Sequence, residues 1–202
     1  MKTFIHNCTT ANDLAQLFAE QLVIWINENE GGVYHLALSG GKTPSILFSL
    51  LADKFINAIP WQRVHFWWGD ERMVPPDDRE SNFGVVNELF FTKLAIDETN
   101  IHRIKGEALP EVEMERYKKE INSLLPKENG WPSFDLVMLG LGDDGHTASI
   151  FPDQMHLLEC DQVTAIATHP LSGQQRITLT GKVINNAKKV AFLISGKSKA
   201  LI

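Results

Sequence analysis

Four apolar runs in this chain, Val33 to Leu38, Arg63 to Trp68, Leu136 to Leu139 and Val190 to Ile194, each empty into a polar turn that carries glycine. The turns are Ser39-Gly-Gly-Lys-Thr43, Gly69-Asp-Glu-Arg72, Gly140 to His146, and Ser195-Gly-Lys-Ser-Lys199. Helical patterns alternate with the runs, and that alternation implies a largely parallel sheet covered by helices on both faces. In a parallel sheet all four turns lie along one edge. Ligands of open α/β sheets bind there, outside the carboxyl ends of the strands.

The helical segments carry their own boundary signals. Thr10-Ala-Asn-Asp13 reads as a capping box ahead of Leu14, Leu17, Phe18, Leu22, Trp25 and Ile26 at helical spacing, with Gly31-Gly32 as the stop. Pro44 suits a first helical turn, which makes Thr43 the expected N-cap of a helix running from Ile46 to Ile59. Pro110 to Leu125 is another helix, acidic early and basic late as the macrodipole prefers. Val163 to Thr168 and Arg176 to Thr180 are two further strands. Without repeats, low-complexity stretches or linkers, residues 1–202 are expected to form a single domain.

The third turn carries the densest chemistry. Gly140-Leu-Gly-Asp-Asp-Gly145 spells G-x-G-x-x-G, yet Asp143 and Asp144 stand where a pyrophosphate needs backbone N–H groups alone. Pro152 also arrives too early for the long helix that a dinucleotide site requires. Among seven histidines, His146 alone lies in such a Gly- and Asp-rich strand exit, so it is the candidate base. His35 and His65 fall inside strands and read as packing residues. A metal held by Asp143, Asp144 and His146 is conceivable, but no second histidine stands at ligand spacing. Ser149 lacks a G-x-S-x-G elbow, which argues against a serine nucleophile.

The other turns suggest an anionic ligand. Ser39 to Thr43 opens a helix whose amides can bind an anion, or it is an ordinary strand-to-helix turn. It is not a nucleotide P-loop, because Leu36 occupies the first glycine position. Lys197 and Lys199 can supply charge to a phosphate or simply start a solvated helix, and Arg72 and Arg79 flank a loop that can grip a substrate. Asp70 and Glu71 are open to three readings: catalytic, substrate-binding, or an ion pair with Arg72.

A formal net charge of −6 argues against a nucleic-acid partner and makes any positive site local. No apolar run is long enough to span a bilayer, and the N-terminus leads into polar residues rather than a signal core. Cys8 and Cys160 have no metal-type spacing and fit thiols in a reducing cytoplasm. No oligomeric state follows from these features.

Leu38-Ser-Gly-Gly-Lys-Thr-Pro44, Trp68-Gly-Asp-Glu-Arg-Met-Val-Pro75 with Ser81-Asn82, and Gly140 to Pro152 together resemble the 6-phosphogluconolactonase family. Arg176-Ile-Thr-Leu-Thr180 and Gly196-Lys-Ser-Lys-Ala200 continue the match in order. The resemblance implies a Rossmann-like open, mostly parallel sheet of the NagB/RpiA/CoA-transferase-like type. It also implies cofactor-free hydrolysis of 6-phosphoglucono-δ-lactone to 6-phosphogluconate in the oxidative pentose phosphate pathway. On that pattern His146 activates water and Asp144 orients the imidazole, while Arg72 or the amides around Gly40 and Gly41 meet the oxyanion. Ser39, Gly40, Gly41, Lys42, Thr43 and Asp70 bind substrate, and the phosphate falls to Lys199, Arg176 or Arg79, with no metal. Glucosamine-6-phosphate isomerases (deaminases) are the nearest alternative, and a non-catalytic sugar-phosphate-binding module is another. The isomerases carry an acid shortly after the histidine, where this chain has Ser149-Ile-Phe-Pro152, and a Tyr where it has Arg72. The family pattern runs longer than 202 residues, so a natural C-terminal segment is expected beyond Ile202.

Overall fold

The computed structural model describes residues 3–29 and 32–202. Helix α1 (Ala11–Asn27) starts on the expected capping box: the Thr10 hydroxyl accepts from the Asp13 N–H at 3.1 Å, and the Asp13 carboxylate accepts from the Thr10 N–H at 3.0 Å. Its buried stripe is Ala15, Phe18, Ala19, Leu22 and Ile26, the spacing of one helix face. Glu28 is the C-cap, and Gly31, the expected stop, lies outside the described residues.

Strands β1 (Tyr34–Leu38) and β2 (Val64–Trp68) pair in parallel around the crossover helix α2 (Lys42–Lys54). The helix ends short of the expected Ile59, with Phe55 as its C-cap, and Ile59 and Trp61 then turn into the core on either side of Pro60. Gly69 then passes the chain from β2 into the short strand β3 (Asp70–Arg72). After α3 (Asn82–Leu89) and α4 (Pro110–Leu124) come a small hairpin, β4 (Lys127–Glu128) with β5 (Trp131–Pro132), and the central strand β6 (Leu136–Leu139). Strands β7 (Thr164–Thr168) and β8 (Gln175–Leu179), the short helix α5 (Gly181–Asn185) and strand β9 (Val190–Phe192) follow.

The parallel sheet has the order β2-β1-β6-β9, so all four glycine-bearing turns do leave the ends of strands in one sheet. Strands β1 and β6 are buried at every position, as a sheet covered on both faces requires. The two late segments do not join it. Strands β7 and β8 form an antiparallel sheet with β3, in the order β3-β8-β7. The connection between β7 and β8 is far too short for a crossover helix, so the two must run antiparallel. Strand β9 pairs with β6 alone among the described residues and leaves Phe192 exposed, where a buried strand was expected.

Tyr117 of α4 locks the top of β2: its hydroxyl accepts from the Trp68 N–H and donates to the Trp68 carbonyl, both at 2.9 Å. Below it lies a buried aromatic stack, with Trp67 and His102 nearly parallel at 4.0 Å. His65 and His102 share a hydrogen bond of 2.8 Å, and His35 accepts from the Trp67 indole at 3.2 Å. The strand histidines are packing residues, as their positions suggested. No described helix is long and apolar enough to cross a membrane.

Burial pushes the His35 imidazole down to about 4, and neighbouring His65 adds to the shift. The unfolded chain takes up this proton near ~6.5, so it binds more protons than the folded state between the two values. The His35 contribution to stability therefore falls as pH drops through that window, by about 2 kcal/mol from pH 7 to pH 5. His35→Gln keeps an acceptor for the Trp67 indole but does not titrate. Urea unfolding at the two pH values is expected to show a pH dependence smaller by that amount in the variant; an unchanged dependence would assign the effect elsewhere.

Candidate active site

The four turns converge on a cleft of about 630 Å³. Among its lining residues are Ser39, Gly40, Gly41, Lys42, Thr43, Asp70, Arg72, His146, Arg176 and Lys199. Of the residues expected at a site, Asp144 is not part of the lining but contacts His146, whereas Arg79 is exposed and outside the cleft. Arg79 is held away because the intervening loop is anchored through Glu80, whose carbonyl accepts from Arg72 Nη1 at 2.7 Å.

At the exit of β1, Gly41 rather than Thr43 is the N-cap of α2. Thr43 sits inside the first turn, with its hydroxyl 2.6 Å from that of Ser195, tying the first turn to the fourth. The opening amides of a helix have no intrahelical acceptor, and here they line the cleft. Asn82 packs so closely on Gly40 that a Cβ there would stand 1.8 Å from its Oδ1. The same side chain donates to the Asp70 carbonyl at 2.9 Å.

In the second turn, Asp70 is buried and accepts from the Ser149 hydroxyl at 2.7 Å. Glu71 makes no ion pair with Arg72, one of the readings open from the sequence. Its carboxylate accepts from the N–H groups of Arg72, Asn82 and Phe83 at 2.8, 2.8 and 2.7 Å, and from the Ser81 hydroxyl at 3.1 Å. It therefore seats the N-terminus of α3. Burial pushes this carboxyl up to about 7 against the pull of the main-chain bonds.

Arg72 and Arg176 stand directly opposite each other on β3 and β8. Like charges in that position repel. The Nε of each is buried without a partner, and neither guanidinium forms an ion pair among the described residues. Burial, and then the charge of Arg72, lower the Arg176 pKa. Two unpaired guanidiniums lining one cleft are suited to an anion.

The third turn is a tight knot. The Gly142 N–H donates to the His146 carbonyl at 2.8 Å, and the Thr147 hydroxyl to the Gly140 carbonyl at 3.0 Å. Ala148 adopts a φ of 49°, a strained value for a residue with a side chain, and the chain then meets Pro152 without opening an α-helix. His146 Nδ1 lies 2.5 Å from Asp144 Oδ1. Only glycine fits beside this pair, since a Cβ on Gly142 would meet the imidazole Nδ1 at 2.2 Å. Burial acts to raise the Asp144 carboxyl, but the His146 N–H and imidazole outweigh it and hold the group below the usual carboxylate range. Asp143 turns away to Lys199 at 2.5 Å and Ser198 at 3.2 Å. Asp143, Asp144 and His146 thus do not converge, and no metal-binding cluster occurs among the described residues.

Sequence reasoning passed over Asn82 and Ser195 as site residues and left the role of Glu71 open. The signal for Asn82 was Ser81 as an N-cap, whose hydroxyl accepts from the Gly84 N–H at 3.0 Å. A second cleft, lined by His102, Arg103, Arg116 and Glu120, holds charges already paired, Arg103 with Glu107 and Arg116 with Glu113 and Glu120.

A family model described as glucosamine-6-phosphate isomerases/6-phosphogluconolactonase matches residues 8–202. The chain belongs to this family. A 6-phosphogluconolactonase of Haemophilus influenzae is 45% identical over 192 residues, which cover 95% of this chain and 80% of that one. The solved 6-phosphogluconolactonase of Trypanosoma brucei superposes with a TM-score of 0.89 at 30% identity, covering 98% of this chain and 84% of that one. A monomeric glucosamine-6-phosphate deaminase superposes with a TM-score of 0.79 at 23% identity, a likeness of fold alone. The family architecture is the α/β fold with a parallel sheet and flanking helices described above.

Replacing Glu71 by Ala would leave its donors at the start of α3 without an acceptor in a buried setting. The expected cost is about 2–4 kcal/mol in urea unfolding at neutral pH. A loss under about 0.5 kcal/mol, as at an ordinary surface position, would show that water replaces the carboxylate there.

Proposed function

We propose that this protein is an enzyme that hydrolyses 6-phosphoglucono-δ-lactone to 6-phosphogluconate, with His146 as the base and no cofactor. The observation that carries the reading is the Asp144–His146 pair at the edge of a cleft that also holds two unpaired guanidiniums. The named relatives support the same reaction.

A δ-lactone is an activated ester, so a positioned base and a water suffice. With Nδ1–H donated to Asp144, His146 Nε2 carries the free lone pair and takes the proton from water. The water oxygen bonds to C1, and the carbonyl electrons move onto the exocyclic oxygen. Arg72 or the amides beside Gly40 and Gly41 stabilise that oxyanion. On collapse the bond from C1 to the ring oxygen breaks, and the imidazolium returns its proton to the departing oxygen. Asp144, held ionised, stabilises the imidazolium in between.

Arg176 and Lys199 hold the phosphate at the other end of the substrate. Lys199 rests on Asp143 and can exchange that carboxylate for the phosphate. Asp70, Ser39 and Asn82 line the stretch between and offer partners for sugar hydroxyls. Ser149, Ile150 and Phe151 are all buried and none is acidic, which speaks against the ring opening of the isomerase alternative. We also assign the protein to the cytoplasm, because two cysteines without disulfide-framework or metal-type spacing fit a reducing compartment.

Acid release from freshly made lactone, followed by pH-stat and corrected for spontaneous hydrolysis, tests the assignment. His146→Ala is expected to lower kcat by about 10²–10⁴-fold with the fold intact by circular dichroism. Full activity in that variant would remove the base from His146. Asp144→Asn and Gly142→Ala, which break the same pair from its two sides, are each expected to lose about 10²-fold or more in kcat. Arg176→Ala is expected to raise KM about 10-fold or more as a charged partner of the phosphate is removed; an unchanged KM would move the phosphate elsewhere.

A further inference from the structure

We propose that Phe151 is a positioning residue for this reaction: its ring fixes the His146 imidazole and the Arg176 guanidinium relative to each other and stabilises the charge that His146 acquires. The inference rests on the lactonase reading above. Phe151 is fully buried, yet its neighbours are not those of an ordinary core ring. Its centroid lies 4.8 Å from that of His146 at an interplanar angle of 53°. The Arg176 Cζ stands over the ring 5.4 Å from its centroid, and His169 meets it edge-on at 5.3 Å and 82°. One aromatic side chain therefore touches both the proposed base and the proposed phosphate ligand.

Two features make this contact more than filling. The hydrogen bond to Asp144 fixes one atom of the imidazole, and the Asp144 side chain is 41% exposed, so water competes for it. No water competes for the contact with a buried ring, which supplies the second constraint needed to aim Nε2. Arg176 has no carboxylate partner among the described residues, so its packing on Phe151 is what holds the guanidinium. The face of an aromatic ring carries negative potential, and a cation within ~6 Å of the centroid is attracted to it. His146 becomes such a cation when it takes a proton from water. The main chain that carries the ring is held by the bond from the Gln154 N–H to the Phe151 carbonyl at 2.9 Å and by the Thr147–Ile150 bridge before it.

Fluorinated phenylalanines at position 151 keep the shape of the ring while progressively removing its negative face, and Phe151→Leu keeps an apolar filler without a ring. Each protein would be assayed by pH-stat for kcat and KM, and the His146 imidazole titrated by NMR without substrate. Across the mono- to trifluoro series kcat is expected to fall stepwise to about 3–10-fold below wild type. The His146 titration midpoint is expected to move down by about 0.3–0.7 units. Phe151→Leu should show the larger loss in kcat together with a raised KM, because Arg176 loses its support. In a His146→Ala background, fluorination should no longer lower kcat, and only the rise in KM that comes through Arg176 should remain. If the fluorinated proteins match wild type in rate and in titration, and Phe151→Leu lowers only thermal stability, Phe151 is a packing residue and the proposal fails. If wild type releases no acid from the lactone, the functional reading fails instead, while the NMR titration still decides whether the ring acts on His146.

Discussion

The site depends on a main-chain junction at Gly69. Its N–H donates to the Leu38 carbonyl at the end of β1, and its carbonyl accepts from the Leu179 N–H at the end of β8, both at 2.8 Å. One residue thus closes the parallel sheet and opens the antiparallel one. Asp70, Glu71 and Arg72 follow at once, so the chain carries them from the ligand-binding edge of the first sheet onto the surface of the second. Arg176 can meet Arg72 only because β8 pairs with β3 rather than with the parallel strands. Without that change of sheet, the cleft would have turns on one side and nothing facing them.

The electrostatics follow from this arrangement. The chain as a whole is acidic, at −6, while the cleft concentrates Arg72, Arg176, Lys42 and Lys199. Elsewhere several cations are neutralised by neighbours, as in the Arg116 network with Glu113 and Glu120 on α4. In the cleft two guanidiniums face each other without a carboxylate, a repulsion that an anionic ligand relieves. Folding holds them there through packing and backbone pairing, and the cost to stability is the means of binding charge. The strained φ of Ala148 is a smaller instance of the same exchange, since it returns the chain sharply after His146.

Much of this was legible in the order of residues. The apolar runs at Leu136 to Leu139 and Val33 to Leu38, each ending in glycine, announced a parallel sheet with its turns on one edge. His146 stood out for its setting among Asp and Gly, and the Thr10–Asp13 capping box marked the start of α1. Other features were not readable, for physical reasons. Val163 to Thr168 and Arg176 to Thr180 are strands by composition, but composition does not state which sheet a strand joins; the short connection between them decides it. Asn82 and Ser195 enter the site through contacts across the fold, Asn82 against Gly40 and Ser195 against Thr43. Arg79 and Arg176 are equally cationic in a sequence, and only one of them lies on a strand that faces the cleft.

The sequence by itself determined the local chemistry: which turns contain glycine, which of them holds a histidine two residues beyond an aspartate, and where helices begin. Those properties depend on neighbours in the chain, because backbone freedom, capping and short-range hydrogen bonds act over a few residues. Tertiary structure decided how the charges are shared. It gave Glu71 to the start of α3 and Asp143 to Lys199, and it left Arg72 and Arg176 without a carboxylate partner among the described residues. Such pairings depend on distances between residues far apart in the chain, and burial then sets how strongly each is felt.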